Sequence, residues 1–163
     1  MFIYSTSTDE DHMLRTHNCG ELRKTNQKAQ VTLCGWVDQV RDMGQLFFIV
    51  LRDRYGITQC LVDKTDLAPE SELYKTVKKI GYEDCLQLSG TVNLREPKDQ
   101  NPKQQTGDIE VLVTKLEVLN PSQTLPFPVR DDQQASDELR LKYRYLDLRR
   151  PKMQNNMLTR HQV

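Results

Sequence analysis

The chain has 163 residues, 28% of them charged, with 23 Lys/Arg set against 23 Asp/Glu. That length suits one domain plus an appendage, able to bury a core without metals or disulfides. Zero net charge excludes a protein that holds nucleic acid through a general basic field. The balance hides an asymmetry: from Ser136 onward there are seven Lys/Arg and three Asp/Glu, so residues 1–135 carry four more acidic than basic side chains.

Residues 1–13 include Asp9-Glu10-Asp11 and lack the basic start and apolar centre of a signal peptide, so a disordered extension is expected there. Residues 14–29 are polar and aperiodic, a lead-in with Leu22 as its anchor on whatever core follows. Val31, Leu33, Gly35 and Val37 then alternate with polar or aromatic neighbours, a period of two that predicts a first strand over 30–40. Arg41-Asp42-Met43-Gly44 breaks that pattern and reads as a connection. The apolar run Leu46–Leu51 predicts a second strand over 45–53. Asp53-Arg54-Tyr55-Gly56 has hairpin composition, with Gly56 expected where a positive φ is tolerated, and a third strand follows over 56–63.

Between Asp66 and Gly81 lies one short amphipathic helix, with Pro69 in its first turn, Leu73, Val77 and Ile80 on one face, and Gly81 as its stop. Alternation resumes over 84–95 (Leu86, Leu88, Gly90, Val92) and 107–119 (Ile109, Val111, Val113), either side of a polar loop from Glu96 to Thr106. Asn120-Pro121 and Leu125-Pro-Phe-Pro128 form an extended linker. Ser136 caps a helix striped with Leu139, Tyr143 and Leu146, and Pro151 interrupts before another helix begins.

Five strands with a helix between the third and fourth define an all-β class with one short helix. The architecture is a five-stranded OB-fold Greek-key barrel followed by a helical hinge. A five-stranded SH3-like barrel is the rival; the helix position and the long first and fourth strands favour the OB order. Cys19, Cys34, Cys60 and Cys85 have no metal-ligand spacing and read as reduced thiols of a cytoplasmic protein. No apolar run approaches a membrane span, so no membrane association is expected. No nucleophile–base pair, phosphate loop or paired carboxylates stands out, and no catalysis, metal or cofactor is expected of these residues.

OB barrels bind single strands on the outer face of their first three strands, with aromatic platforms and hydrogen-bonding side chains. With Phe47, Ile49 and Leu51 inward, Phe48 faces out. Gln59, between Thr58 and Cys60, can point out too, and inward Ile109, Val111 and Val113 leave Glu110 outside. Each has a plainer alternative: Phe48 as packing beneath a loop, Gln59 and Glu110 as solvated strand residues, and Trp36 as packing rather than a platform.

The order Leu33-Cys-Gly-Trp-Val37, Arg41-Asp42, Gly44, Leu46, Phe48-Ile49, Leu51-Arg-Asp-Arg54, Gly56 and Gln59 resembles the anticodon-binding domain of bacterial-type aspartyl-tRNA synthetases. Arg140-Leu-Lys-Tyr-Arg-Tyr-Leu-Asp-Leu-Arg-Arg-Pro151 resembles the same family's entry into its catalytic domain. The resemblance runs from about Met13 onward and implies an OB domain over 14–119, a linker and hinge helix over 120–150, and the start of a catalytic domain over 151–163. It implies a tRNA partner met at its anticodon stem-loop: Phe48 stacking on a base, Gln59 and Glu110 reading base edges of a GUC anticodon, and Arg41 and Arg95 as basic contacts. The Arg140–Arg150 cluster either touches the inside of the tRNA elbow or solvates the hinge. Gln39, Val40 and Asn93 depart from basic positions in that family, which implies fewer phosphate contacts. The whole enzyme implied is a cytoplasmic homodimer using ATP and Mg2+. A general single-strand binder, a scaffold module and a lysyl- or asparaginyl-type anticodon domain are the other readings.

Overall fold

Alternation of buried and outward side chains builds five strands: β1 (Gln30–Met43), β2 (Leu46–Arg52), β3 (Ile57–Asp63), β4 (Cys85–Leu94) and β5 (Ile109–Asn120), with helix α1 (Glu72–Val77) between β3 and β4. The structure is a computed structural model describing residues 14–65, 67–132 and 135–162; the extension expected over 1–13 lies outside the described residues. The strands close into a barrel in the order β1-β2-β3-β5-β4. Among the described residues only β3 and β5 pair in parallel, at Cys60–Val111 and Leu61–Leu112. Leu33, Val37, Ile49, Leu51, Val62, Leu86, Leu88, Val92, Ile109 and Val111 are completely buried inside, and Val77 and Ile80 from the helical segment join them.

The lead-in is anchored as expected, with Leu22 fully buried in the barrel core. Asp53 ties it down. One carboxylate oxygen accepts from the Cys19 amide (2.8 Å) and Arg15, and the other accepts from the amides of Tyr55 and Gly56, which shapes the β2–β3 turn. Gly56 is needed here for a reason other than a positive φ, since Gly44 holds the one such glycine conformation among the described residues. A Cβ on Gly56 would lie 2.7 Å from the Gly20 Cα, so the two backbones approach too closely for any side chain.

Two further expectations are corrected. Arg41, Asp42 and Met43 are not a connection: β1 runs on to Met43, paired with Leu46. The turn shrinks to Gly44-Gln45, with Gly44 at φ +73 as a two-residue hairpin requires. Helix α1 starts later than Pro69, because the Ser71 hydroxyl accepts the Tyr74 amide and caps it there.

The long strands are not uniformly periodic. β1 carries a bulge between Val37 and Gln39, so its alternation changes phase. Before the bulge Val31, Leu33 and Val37 point in; after it Val40 packs on the core, while Gln39 and Arg41 line an outer groove. β5 has a matching irregularity opposite Ser89–Gly90, and there its core-facing residues change from Ile109, Val111 and Val113 to Leu116 and Val118. Gly90 sits at this point, where a Cβ would collide with the Leu112 carbonyl at 2.1 Å.

Residues 123–162 form a second unit. It contains α2 (Asp137–Lys142), α3 (Arg144–Asp147) and α4 (Pro151–Gln162), with Ser136 accepting the Leu139 amide as N-cap. Phe127, Val129 and Leu146 are its small core, with Leu139 and Tyr143 against them. Asp147 is fully buried and bonded to Arg140 (2.9 Å), Arg144 (2.6 Å) and Arg150 (3.2 Å).

Candidate nucleic-acid interface

The outer face of β1, β2, β3 and β5 reads as two parallel rows across the strands. In one row, Arg41 on β1 faces Phe48 on β2, which faces Leu61 on β3, which pairs with Leu112 on β5. In the next, Gln39 faces Val50, which faces Gln59; Glu110 adjoins Gln59 and faces Asn93 on β4. Directly opposed residues share a face of a sheet. The first row is an aromatic and aliphatic strip with a cation at one end, and the second is polar around a buried valine. All of these except Leu112 line a groove of about 650 Å³, with Leu94, Arg95, Glu96 and Asp99 as a further wall.

Phe48 is half-buried in this groove, with Arg41 and Leu61 opposite it on the flanking strands. Gln59 Nε2 donates to Glu110 Oε2 at 3.1 Å. A carboxylate only accepts, so the Gln59 amide turns its nitrogen toward Glu110 and keeps its oxygen free. The pair therefore offers the groove two acceptor oxygens, unshared among the described residues and suited to the N–H edge of guanine or the amino group of cytosine.

Arg95 also lines the groove, but as a buried cation, with 7% of its surface exposed. Its Nε donates to the Ile109 carbonyl at 2.8 Å, and its buried Nη2 has no hydrogen-bond partner among the described residues. Burial pulls its guanidinium below the ordinary arginine value, while Glu110 and Asp108 pull the other way. Arg41 is exposed, and its Nη2 donates to Gln39 Oε1 at 2.9 Å. The five residues singled out from sequence thus all line one groove.

Trp36, 40% exposed, is not among the residues lining that groove. Leu61 was accessible to the alternation that selects Gln59, two positions earlier. Gln39 was not, because the bulge that turns it outward carries no local sequence signal. Cys19 and Cys60 are fully buried and burial pushes their thiols far above the ordinary range, so they behave as packing groups. Among the described residues no His, Cys, Asp or Glu cluster could hold a metal, and no helix is long and apolar enough to cross a membrane.

A closed barrel of this strand order, with an aromatic side chain beside hydrogen-bonding groups in an outer groove, has the features of a nucleic-acid-binding OB domain. The chain belongs to the OB-fold nucleic acid binding domain family, whose pattern matches residues 31–119. It is 48% identical over 151 residues to the aspartate–tRNA ligase of Amoebophilus asiaticus, and equally so to the aspartate–tRNA(Asp/Asn) ligase of Desulfatibacillum aliphaticivorans. Each alignment covers 93% of this chain and 25% of the relative, so the chain spans about a quarter of the length of these curated relatives. A crystal structure of asparaginyl-tRNA synthetase from Pyrococcus horikoshii superposes with a TM-score of 0.72 at 34% identity, over 86% of this chain and 31% of that one.

Proposed function

We propose that this chain is the anticodon-binding part of an aspartate–tRNA ligase and that its groove takes the unpaired bases of the GUC anticodon loop. The observation that carries this reading is the placement of Phe48 beside the hydrogen-bonded Gln59–Glu110 pair in one groove. Unpaired loop bases can be splayed out, stacked on an aromatic ring and read on their edges. Phe48 supplies the platform, Gln59 and Glu110 the acceptors, Arg41 an exposed cation at the rim and Arg95 a charged donor set into the wall.

A sequence-indifferent single-strand binder would need a basic channel. The groove instead sets Glu96, Asp99 and Glu110 against Arg41 and Arg95, which favours selective reading over general capture. The whole ligase would attach aspartate to its tRNA in the cytoplasm, as a homodimer, with ATP and Mg2+ engaged by parts of the protein other than the described residues.

The test is titration of the chain with an RNA stem-loop carrying GUC and with three loops, each changed at one anticodon position. Preference for GUC at every position is expected. Equal binding of all four loops would return the reading to a general single-strand binder.

A further inference from the structure

We infer that Gln39 is a positioning residue of the RNA site, holding the Arg41 guanidinium at the edge of the Phe48 platform. The inference rests on the nucleic-acid reading above. Gln39 and Arg41 are two apart on one strand, so after the bulge they share the outer face. Without that extra residue, the inward phase of Val31, Leu33 and Val37 would carry Gln39 and Arg41 into the barrel and turn Val40 out. The bulge is held from both sides. The Val37 amide donates to the Asp84 carbonyl and its carbonyl accepts from the Glu83 amide, while Asp38 lies 3.7 Å from Arg52. Bulges commonly re-aim side chains in this way.

Arginine has donors and no acceptor, so the amide that meets it at 2.9 Å must present its oxygen. Gln39 therefore turns its NH2 group away from Arg41. An exposed arginine otherwise samples many rotamers and must lose them on binding. The local clamp removes part of that loss in advance, keeping the remaining guanidinium donors where the phosphate of a nucleotide stacked on Phe48 would lie. Arg41 then acts as a placed donor, and Gln39 acts through it.

The experiment is a double-mutant cycle of Gln39→Met, which keeps length and removes the acceptor, with Arg41→Ala, read by titration of a fluorescent GUC stem-loop. Gln39→Met should weaken binding about fivefold in the wild-type background and less than about twofold when Arg41 is already alanine. It should also lower the salt slope toward that of Arg41→Ala, by up to about 0.7. Nitrogen relaxation at Arg41 Nε in the free protein should show an ordered side chain in wild type and a mobile one in Gln39→Met. If Gln39→Met perturbs thermal unfolding, Gln39→Ala repeats the cycle at this half-exposed site.

An equal penalty in both backgrounds, or an Arg41 side chain equally mobile in both proteins, overturns the proposal while binding and its loss in Phe48→Ala leave the RNA reading standing. Failure of wild type to bind any loop overturns the reading and this inference with it.

Discussion

Gln59 and Glu110 reach the groove already bonded to one another, and this sets what each substitution there should do. Glu110→Gln keeps the shape but replaces an acceptor oxygen with a donor, so a base offering N–H groups meets a mismatch. It should narrow the gap between GUC and a loop changed at one position and cost about 1–2 kcal/mol of affinity. Unchanged discrimination at all three positions, in a folded protein, would remove Glu110 from the reading. Phe48→Ala should behave differently, because stacking is worth about 1–3 kcal/mol and tolerates any base. Binding should weaken roughly ten- to a hundredfold with the ranking of loops preserved. A reshuffled ranking would mean that Phe48 selects bases as well as supporting them.

At the scale of elements, the helices of the second unit are organised around one buried carboxylate. Hydrogen bonding to Arg140 holds Asp147 below the ordinary aspartate value against the opposing effect of burial, with Arg150 and Arg144 adding to it. A folded-state value below the unfolded one, about 3.9, means that Asp147 stabilises its unit above that pH. The contribution is lost as pH falls through the lower folded value. The helical far-UV signal should therefore soften below about pH 4 in wild type. Asp147→Asn should already be less stable at neutral pH, by about 1.5–3 kcal/mol, and lack this part of the acid dependence. Identical acid profiles for the two proteins would show that the arginine cluster only solvates the helices. The barrel has its own organising device in the bulge of β1, which lets one strand serve the core through Val40 and the groove through Gln39 and Arg41.

For the whole molecule, charge decides how binding responds to salt. Net charge is zero, and the groove carries two arginines, one of them buried. In the second unit Arg140, Arg144 and Arg150 are committed to Asp147. With one or two phosphates neutralised, raising salt from about 50 to 200 mM should cost only about three- to sevenfold in affinity for the stem-loop. A loss of a hundredfold or more would locate most of the binding on a basic surface outside the groove.

Local sequence was enough for the barrel because its information is periodic. Leu33 and Val37, and Ile109 to Val113, declare inward faces by alternation, so Glu110 could be placed outward before any contact was known; the apolar run Leu46–Leu51 declares a strand, and Phe48 faces out only once Phe47, Ile49 and Leu51 are set inward. Ser136 likewise announces its helix, since a cap is satisfied by an amide three residues away. What only the tertiary structure decided are features set by partners distant in sequence. The β1 bulge depends on Val37 meeting Glu83 and Asp84, and on Asp38 meeting Arg52; with it came the outward turn of Gln39 and the conversion of Arg41 from loop to strand. Gly56 is required by Gly20 across the chain. Arg95 is buried because the β4–β5 pairing brings the Ile109 carbonyl to its guanidinium. Alternation is a property of neighbours along the chain, whereas register shifts, close backbone approach and burial of a charge are properties of strands brought together.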